Sequence, residues 1–423
     1  MNYTQSEVLQ YIAENDVKFI KLFFTDIFGS IKSISIMPEQ LPTAFKWGIP
    51  FDASCVKGFL EVAKTDLFIV PDPATLAVLP WRPQHGRVVR FYCNIRYPDG
   101  APFAGDSRLI LQQTADKIRE LGYTCKIGTD CEFYLFNADE NGQPTLTPQD
   151  QASYCDLAPR DRGENVRRDI CLTLEQMGIK PEASHHEKGP GQNEIDFADS
   201  DVLNAADNFA TFKTVVRTIA ARNGLFASFM PKPLADWSGS GLHVNISLKK
   251  DGCNVFEGEK LRPEAESFIA GILHHIKDIT AFLNPLNNSY NRFGEFEAPQ
   301  YVSWSRWNLS QLIRFPASGG KDVRIKVRSP DPACNQYLAL ALILSSGLDG
   351  VVNKRPLPPA TDIDLCSAPP QTIAGLPKLP GSLKEALAFA AASPFVADLL
   401  TKDVLDMFAA AKSGGRDPDF GEI

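Results

Sequence analysis

The chain has 423 residues, with 43 lysines and arginines against 51 aspartates and glutamates, and a formal net charge of −8. Apolar residues make up 44% of it and charged residues 22%, so we expect a globular protein of two or three domains whose core needs no disulfide or structural metal. The acidic balance, without a basic stripe, argues against nucleic acid or an anionic membrane as a partner.

The expected compartment follows from three further features. No apolar run approaches the roughly 18–20 residues that span a bilayer. The chain starts MNYTQSEVLQ, without the basic start and apolar stretch of a signal peptide. Nine cysteines are scattered without CxxC or metal-ligand spacing, which is typical of free thiols in a reducing compartment. We therefore expect a soluble, cytoplasmic protein without a membrane partner.

The first hundred residues are predicted to form a small sheet-based domain of short strands and turns. Alternating or β-rich runs separated by glycine and proline turns predict its strands. The predicted strands are 18–24, 30–37, 67–70 and 88–95. A turn at 97–100 (YPDG) ends this domain, so we expect the boundaries 1–100 and 101–423.

The second part is predicted to be α+β. Helical periodicity is visible at 107–121, 165–177, 205–223, 264–283 and 337–348. Short strands lie between these helices, which indicates a mostly antiparallel sheet. A proline-rich stretch at 356–380 precedes two closing helices that are predicted to begin at Leu383 and Val396.

Four strand-like segments carry polar residues at period two, which places those residues on one face of a strand. The four sets are Asp130, Glu132 and Tyr134; Glu194 and Asp196; His243, Asn245 and Ser247; and Arg324, Lys326 and Arg328.

One such face often meets only solvent, but these four are sorted by charge. Carboxylates suit Mg²⁺ or Mn²⁺ and guanidinium groups suit phosphate, so a sheet combining both could hold a nucleotide. No Walker A lysine motif, Rossmann glycine fingerprint or nucleophile elbow is present in the sequence.

The chain resembles bacterial class I glutamine synthetases over nearly its whole length. The matching segments follow one another in order along the sequence. They are DIFG at 26–29, FDAS at 51–54, DPAT at 72–75, HHE at 185–187, GQNE at 191–194, FMPKP at 229–233, GSGLH at 239–243, NP at 284–285, NSYNR at 288–292, EAP at 297–299 and RSPDP at 328–332.

The resemblance implies an N-terminal β-grasp domain and a C-terminal catalytic domain with a curved antiparallel sheet flanked by helices. It also implies an active site between neighbouring subunits of stacked six-membered rings, which makes a homo-oligomer, a dodecamer, the expected assembly. The implied reaction uses ATP to phosphorylate the γ-carboxylate of glutamate, after which ammonia displaces the phosphate. ATP and Mg²⁺ or Mn²⁺ are the implied cofactors.

The resemblance also assigns roles to individual residues. Glu132, Glu187 and Glu194 match the ligands of a first metal, while Asp130 and His243 match ligands of a second. Residues matching the glutamate site are Gly239, Arg292, Arg328 and Tyr154. Those matching the nucleotide site are Ser247, Arg314, Arg324 and Glu182. Glu297, Asp52 and Arg314 match catalytic positions, with Glu297 on a flap and Asp52 contributed by a neighbouring subunit.

Four positions depart from the family pattern. Lys326 replaces the third ligand of the second metal, and Leu309 replaces an arginine that stabilises the transferred phosphoryl group. Asn245 stands where a histidine is usual, and Cys55 where a serine is usual. Three readings therefore stay open: an ammonia ligase, a related ligase for another amine or acid, and a catalytically impaired binding or regulatory homologue.

Overall fold

The computed structural model of the protein describes residues 3–59, 66–82, 84–258, 260–316, 323–413, 416–418 and 420–422. The N-terminal part contains two α-helices and six strands. They are α1 (Gln5–Glu14), α2 (Leu41–Trp47), β1 (Val17–Thr25), β2 (Ile31–Ile36), β3 (Ile49–Asp52), β4 (Asp66–Pro71), β5 (Ala77–Val78) and β6 (Arg87–Arg96).

These six strands form one sheet in the order β2-β1-β6-β4-β3, with β5 paired to β6. Strand β1 runs parallel to β6 and antiparallel to β2. The predicted strands are found, but α1 and α2 were absent from the prediction. In α1 only Val8 and Ile12 are buried, a stripe too narrow to stand out in the sequence, and a capping box between Thr4 and Glu7 fixes its start.

The C-terminal part contains eleven strands and nine α-helices in the described residues. The strands are β7 (Tyr123–Ala138), β8 (Pro144–Pro148), β9 (Pro181–His186), β10 (Gln192–Phe197), β11 (Ser200–Asp201), β12 (Leu225–Ser228), β13 (Leu242–Lys250), β14 (Cys253–Asn254), β15 (Trp304–Ser305), β16 (Ile313–Arg314) and β17 (Ile325–Val327). The helices are α3 (Ser107–Glu120), α4 (Glu164–Gln176), α5 (Val202–Arg222), α6 (Pro263–Leu283), α7 (Gln336–Val352), α8 (Pro370–Ile373), α9 (Leu383–Ala392), α10 (Pro394–Leu400) and α11 (Lys402–Ser413).

The second sheet runs in the order β15-β16-β17-β13-β7-β10-β9, and β7 also pairs with β8, β11 and β12. Within the described residues of this second sheet only the β15–β16 pair is parallel, so the expected mostly antiparallel sheet and the α+β class are confirmed. Cys131, Phe133 and Leu135 of β7 point into the core. The ring of Phe133 meets Phe212 of α5 edge-on at 5.9 Å, which fixes the polar face of β7 on the opposite side.

Two features complete the architecture. The parts are joined by Arg108 of α3, whose Nη2 lies 2.9 Å from both Asp72, just after β4, and Asp207 of α5, so one buried guanidinium links the two parts. The chain closes with three helices rather than the two predicted, because Thr401 adopts a left-handed φ of 62° that separates α10 from α11. None of the described helices is both long and apolar enough to cross a membrane.

Candidate active site

The polar face of the second sheet carries a row of carboxylates set by strand register. Glu132 of β7 lies opposite Glu194 of β10, and Asp130 lies opposite Asp196 one step further along. On its other side β7 places Asp130 opposite His243 of β13. Period two therefore brings the predicted carboxylates to one face, as expected.

At one end of this row three carboxylates lie close together, and two of them contact a histidine. Nε2 of His185 lies 3.2 Å from Oε1 of Glu187 and 3.4 Å from Oε2 of Glu194. The backbone N–H of Gly241 donates to Oε2 of Glu132 at 2.9 Å. We call Glu132, Glu187 and Glu194 the acidic cluster.

The acidic cluster is short of positive charge. Burial and the charge of Glu187 raise the pKa of Glu132 to about 7, and burial raises the pKa of Glu194 well above its usual range. The hydrogen bonds from His185 to Glu187 and Glu194 raise the pKa of that imidazole to about 10. His185 therefore stands as a cation between the carboxylates, a role that the sequence analysis missed.

The other end of the row is neutralised from within. Lys326 of β17 forms a salt bridge with Asp130, and Nδ2 of Asn245 donates to the other oxygen of Asp130 at 2.9 Å. We call Asp130, Asn245 and Lys326 the paired cluster. Asp196, which the sequence analysis placed on this face without a role, lies beside it, and its buried Oδ1 has no hydrogen bond to a described residue.

Three arginines form the basic half of the site. Arg292 and Arg328 are buried and Arg314 is half-buried, and the Nε of each lacks a hydrogen bond among the described residues. Burial and the neighbouring charge of Arg314 lower the pKa of Arg328 to about 10. Unsatisfied buried guanidinium donors are the groups that a bound carboxylate or phosphate would satisfy.

The glycine-rich segment before β13 has a packing reason. A Cβ on Gly239 would lie 2.5 Å from Cγ of Arg292, and one on Gly241 would lie 3.0 Å from Nε2 of His243. Any larger residue would therefore push the arginine or the histidine out of place. The sequence analysis identified this segment through its match to the family motif at 239–243 and gave no packing reason for its glycines.

The predicted flap glutamate sits at the rim of the site. Glu297 has a left-handed φ of 67° and Phe296 one of 48°, so two successive non-glycine residues hold a strained turn. Nη2 of Arg328 donates to the carbonyl oxygen of Glu297 at 3.3 Å. Nζ of Lys188 lies 3.2 Å from Oε2 of Glu297.

The remaining predicted residues are less closely grouped. Tyr154 is exposed, and its ring meets that of His185 edge-on at 5.4 Å. Nη1 of Arg324 donates to Asp199 at 2.8 Å, while Ser247 is buried on β13 and Glu182 is exposed on β9. Asp52 lies in the first sheet, where Ser54 and Cys55 are its side-chain partners, so this chain does not bring Asp52 to the acidic cluster.

The residue types fit a divalent cation. Ligand atoms of His185, Glu187 and Glu194 lie within 4.8 Å of one another, and so do those of Asp130, Glu194 and His243. Burial and the charge of Arg328 keep the pKa of His243 well below its usual range, which leaves its imidazole neutral. Carboxylates with a neutral imidazole suit Mg²⁺ or Mn²⁺, although Asp130 is already held by Lys326.

Comparison with known families accounts for most of the chain. The β-grasp domain of glutamine synthetase matches residues 16–98, and the catalytic domain of glutamine synthetase matches residues 104–417. Glutamine synthetase from Clostridium saccharobutylicum is 45% identical over 418 residues, which cover 97% of this chain and 94% of that protein. Glutamine synthetase from Methanosarcina mazei is 46% identical over 416 residues, which cover 97% and 93%.

Solved structures agree in fold. A complex of GmaS with ADP superposes with a TM-score of 0.87 at 28% identity, over 98% of this chain and 95% of that one. Glutamine synthetase from Plasmodium falciparum superposes with a TM-score of 0.85 at 23% identity, over 97% and 95%. The second likeness concerns the fold alone.

Proposed function

The chain belongs to the glutamine synthetase family and is an ATP-dependent glutamate–ammonia ligase, and we propose that the acidic cluster and the three arginines carry this reaction. In it, an oxygen of the glutamate γ-carboxylate takes the γ-phosphoryl group of ATP, which releases ADP. Ammonia then attacks the carbonyl carbon of the resulting γ-glutamyl phosphate, the new C–N bond replaces the C–O bond to phosphate, and glutamine and phosphate are produced. The observation that carries the proposal is the pairing of unsatisfied arginines with a carboxylate cluster on one sheet face.

We assign the glutamate substrate to the basic half. Arg292 and Arg328 would bind its carboxylates through their open donors, and Gly239 would contribute a backbone contact. Tyr154 would close the side of the site beside His185. The tight packing of Gly239 on Arg292 supports this assignment, because it fixes the direction of the guanidinium.

We assign one divalent cation, Mg²⁺ or Mn²⁺, to Glu132, Glu187 and Glu194. When bound, such an ion supplies charge neutralisation and polarises oxygen atoms in the site. Glu297, placed on the flap, would accept the proton that ammonium must lose before its nitrogen can attack. The backbone contact from Arg328 to Glu297 couples the flap to the carboxylate substrate.

We propose that this chain works without a second divalent ion at Asp130 and His243. Both carboxylate oxygens of Asp130 already have partners, the ammonium of Lys326 and the amide of Asn245. A lysine ammonium about 5 Å from a divalent ion at an effective dielectric of about 20 is repelled by roughly 6–7 kcal/mol. The ammonium of Lys326 would supply fixed positive charge in its place.

The nucleotide and the assembly complete the proposal. Arg314, Arg324, Ser247 and Glu182 would contact ATP, with Arg314 also neutralising the transferred phosphoryl group. Asp52 would act in a neighbouring subunit's site, as expected for stacked rings forming a dodecamer. We retain 1–100 and 101–423 as the domains and the cytoplasm as the location.

Substrate-dependent ADP release tests this function. Purified protein with ATP and Mg²⁺ or Mn²⁺ should release ADP only when glutamate and ammonia are both present, and it should form glutamine in equal amount. A panel with methylamine, ethylamine, aspartate and glutarate is the comparison. Turnover with another amine or acid alone would identify a related ligase, and saturable binding without turnover would identify an impaired homologue.

A further inference from the structure

A cavity of about 790 Å³ lies between the two parts of the chain, apart from the proposed active site. Its walls are the β1–β2 turn, one face of α5, the turn after α6, residues 332–333 and the C-terminal segment. Six basic side chains line it: Lys32, Lys57, Lys213, Arg217, Lys412 and Arg416. This concentration of positive charge is unexpected in a chain of net charge −8.

The acidic residues of the cavity do not balance this charge. Asp26 accepts hydrogen bonds from the N–H groups of Phe28 and Ser30 and lies 3.5 Å from Lys32. Asp417 accepts from the N–H groups of Asn287 and Asn288, both at 2.8 Å. Each acid thus also holds a turn, and the described lining has six basic side chains against these two carboxylates.

Two lysines show the shortage most clearly. Nζ of Lys412 lies 4.9 Å from the ring centre of Phe28 and 5.9 Å from that of Phe408, and it has no salt bridge with any described carboxylate. Nζ of Lys213 donates to the carbonyl oxygen of Pro332 at 3.1 Å. Burial lowers the pKa of each lysine to about 8, and this effect outweighs the opposing charge of Asp331 on both lysines and of Asp417 on Lys412.

We propose that this cavity binds a small dianion, either a phosphate or a dicarboxylate, and that its binding changes the affinity of the active site for glutamate. The cations and the volume of the cavity suit several anionic oxygens at once. The part of this proposal that concerns glutamate rests on the proposed function, whereas the binding site does not.

The cavity shares two stretches of backbone with the glutamate arginine. Pro332 lines the cavity and follows Asp331, whose Oδ2 lies 4.0 Å from Nη1 of Arg292. Asp417 holds the N-terminal end of the 3₁₀ helix Asn288–Asn291, which leads directly into Arg292. An anion that attracts Lys213 or displaces the segment at Asp417 would therefore move Arg292 through one of these two stretches of backbone.

Lysine footprinting tests the site directly on the whole protein. The protein is acetylated at pH 8 with N-hydroxysuccinimide acetate in inorganic phosphate, in succinate, or in sodium chloride at equal ionic strength. Peptide mass spectrometry should show Lys412 and Lys213 labelled at least threefold more slowly in a dianion, with Lys402 unchanged. If just one of the two dianions protects the lysines, the result identifies whether the cavity binds a phosphate or a dicarboxylate. Equal labelling of Lys412 in all three buffers would overturn the site.

Matched variants test the coupling. Lys412→Gln removes a cavity cation, and Lys402→Gln makes the same change at the start of the same helix, outside the cavity. The protecting dianion should change the KM for glutamate about fivefold or more in wild type and Lys402→Gln, within the range of allosteric couplings, but not in Lys412→Gln.

If Lys412→Gln does not fold, the exposed Lys57→Gln replaces it. Protection of Lys412 with an unchanged KM would overturn the coupling. Because footprinting needs no turnover, a failure of the cavity proposal is distinguishable from a failure of the ligase assignment.

Discussion

The two ends of the carboxylate row share one sheet, one register and similar burial, yet their charge is balanced in opposite ways. At the β9–β10 end, Glu187 and Glu194 share the cation of His185, and Glu132 lies beside them. At the β13–β17 end, Asp130 has Lys326 and Asn245 to itself. The acidic cluster is therefore arranged for a cation from outside, and the paired cluster for one that the chain provides.

This difference gives two of the departures from the family pattern, Lys326 and Asn245, one explanation. Lys326 and Asn245 both contact Asp130, so the two substitutions act on the same carboxylate. A buried charge is costly unless it is paired and hydrogen-bonded, and together the two residues meet that need for Asp130 without a metal. The substitutions therefore indicate a change in how the site is charged, while the acidic cluster, Arg292 and Arg328 are the residues to which we assign the substrate chemistry.

The largest expected effect comes from breaking the acidic cluster. In Glu187→Gln we expect turnover to fall on the order of 10³-fold, since a catalytic cation supplies several kcal/mol of stabilisation. Mn²⁺ affinity, measured by electron paramagnetic resonance, should fall with it. Glu175→Gln on the exposed face of α4 is the matched control and should leave both unchanged. Full activity in Glu187→Gln would remove the acidic cluster from the mechanism.

A second test converts the paired cluster into a second acidic cluster. Lys326→Glu with Leu309→Arg should raise ATP turnover at least tenfold, because it removes the roughly 6–7 kcal/mol repulsion and restores a phosphoryl-stabilising cation. Bound Mn²⁺ should rise from one to two ions per chain. Lys326→Met with Leu309→Arg removes the charge without adding a ligand and should gain no ion. Unchanged or lower turnover in the first variant would mean that the ammonium of Lys326 serves the reaction as well as a second metal ion does.

A smaller effect is expected from Asp196, the carboxylate that neither cluster neutralises. Burial and the charge of Asp130 raise the pKa of Asp196 to about 6. A raised folded pKa means that stability falls as pH rises from about 4 through 6, since the unfolded chain loses its proton first. Asp196→Asn should therefore be more stable by about 1 kcal/mol at pH 7, after allowance for partial exposure, and equally stable at pH 4.

Urea unfolding at both pH values, without divalent ions, measures this difference. Asp169→Asn on the exposed face of α4 is the control and should change stability at neither pH. A wild-type protein that is no less stable than Asp196→Asn at pH 7 would show that Lys326 already neutralises both aspartates.

The sequence predicted the parts of the site that lie within single strands. Period two in β7 and β13 is strong because each strand is long, with nonpolar residues such as Phe133 and Val244 on the buried face. It therefore identified Glu132 and His243 together with their neighbours on the same face. The family resemblance added roles for residues in loops, such as Glu297 and Arg292, whose local sequence has no periodicity.

The contacts between strands could not be read in the same way. His185 faces Glu194, and Asp196 faces Asp130, only because β10 pairs with β9 and β7 in a particular register. The same holds for the salt bridge between Lys326 and Asp130, which are far apart in sequence. Asp52 lies apart from the acidic cluster in this chain, and we propose that it acts on another copy of the chain. Strand register is a tertiary property and assembly is a quaternary one, and a local sequence pattern contains neither.

The smallest effect is expected at the rim of the site. The test asks whether the position of the Glu297 flap depends on the charge of Lys188. Lys188 and Glu297 form a salt bridge whose side chains are 44% and 40% exposed, and such pairs contribute roughly 0.2–1 kcal/mol. Lys188→Met should therefore raise the KM for ammonia no more than about threefold, because Arg328 still holds the flap backbone. Lys180→Met, exposed at the other end of the β9 segment, should leave the KM unchanged.

Raising the salt concentration should bring the KM of wild type towards that of Lys188→Met, because exposed ion pairs are screened. A loss of a hundredfold would instead place Lys188 among the groups that act on the substrate, and the flap would then depend on charge rather than on its backbone contact with Arg328.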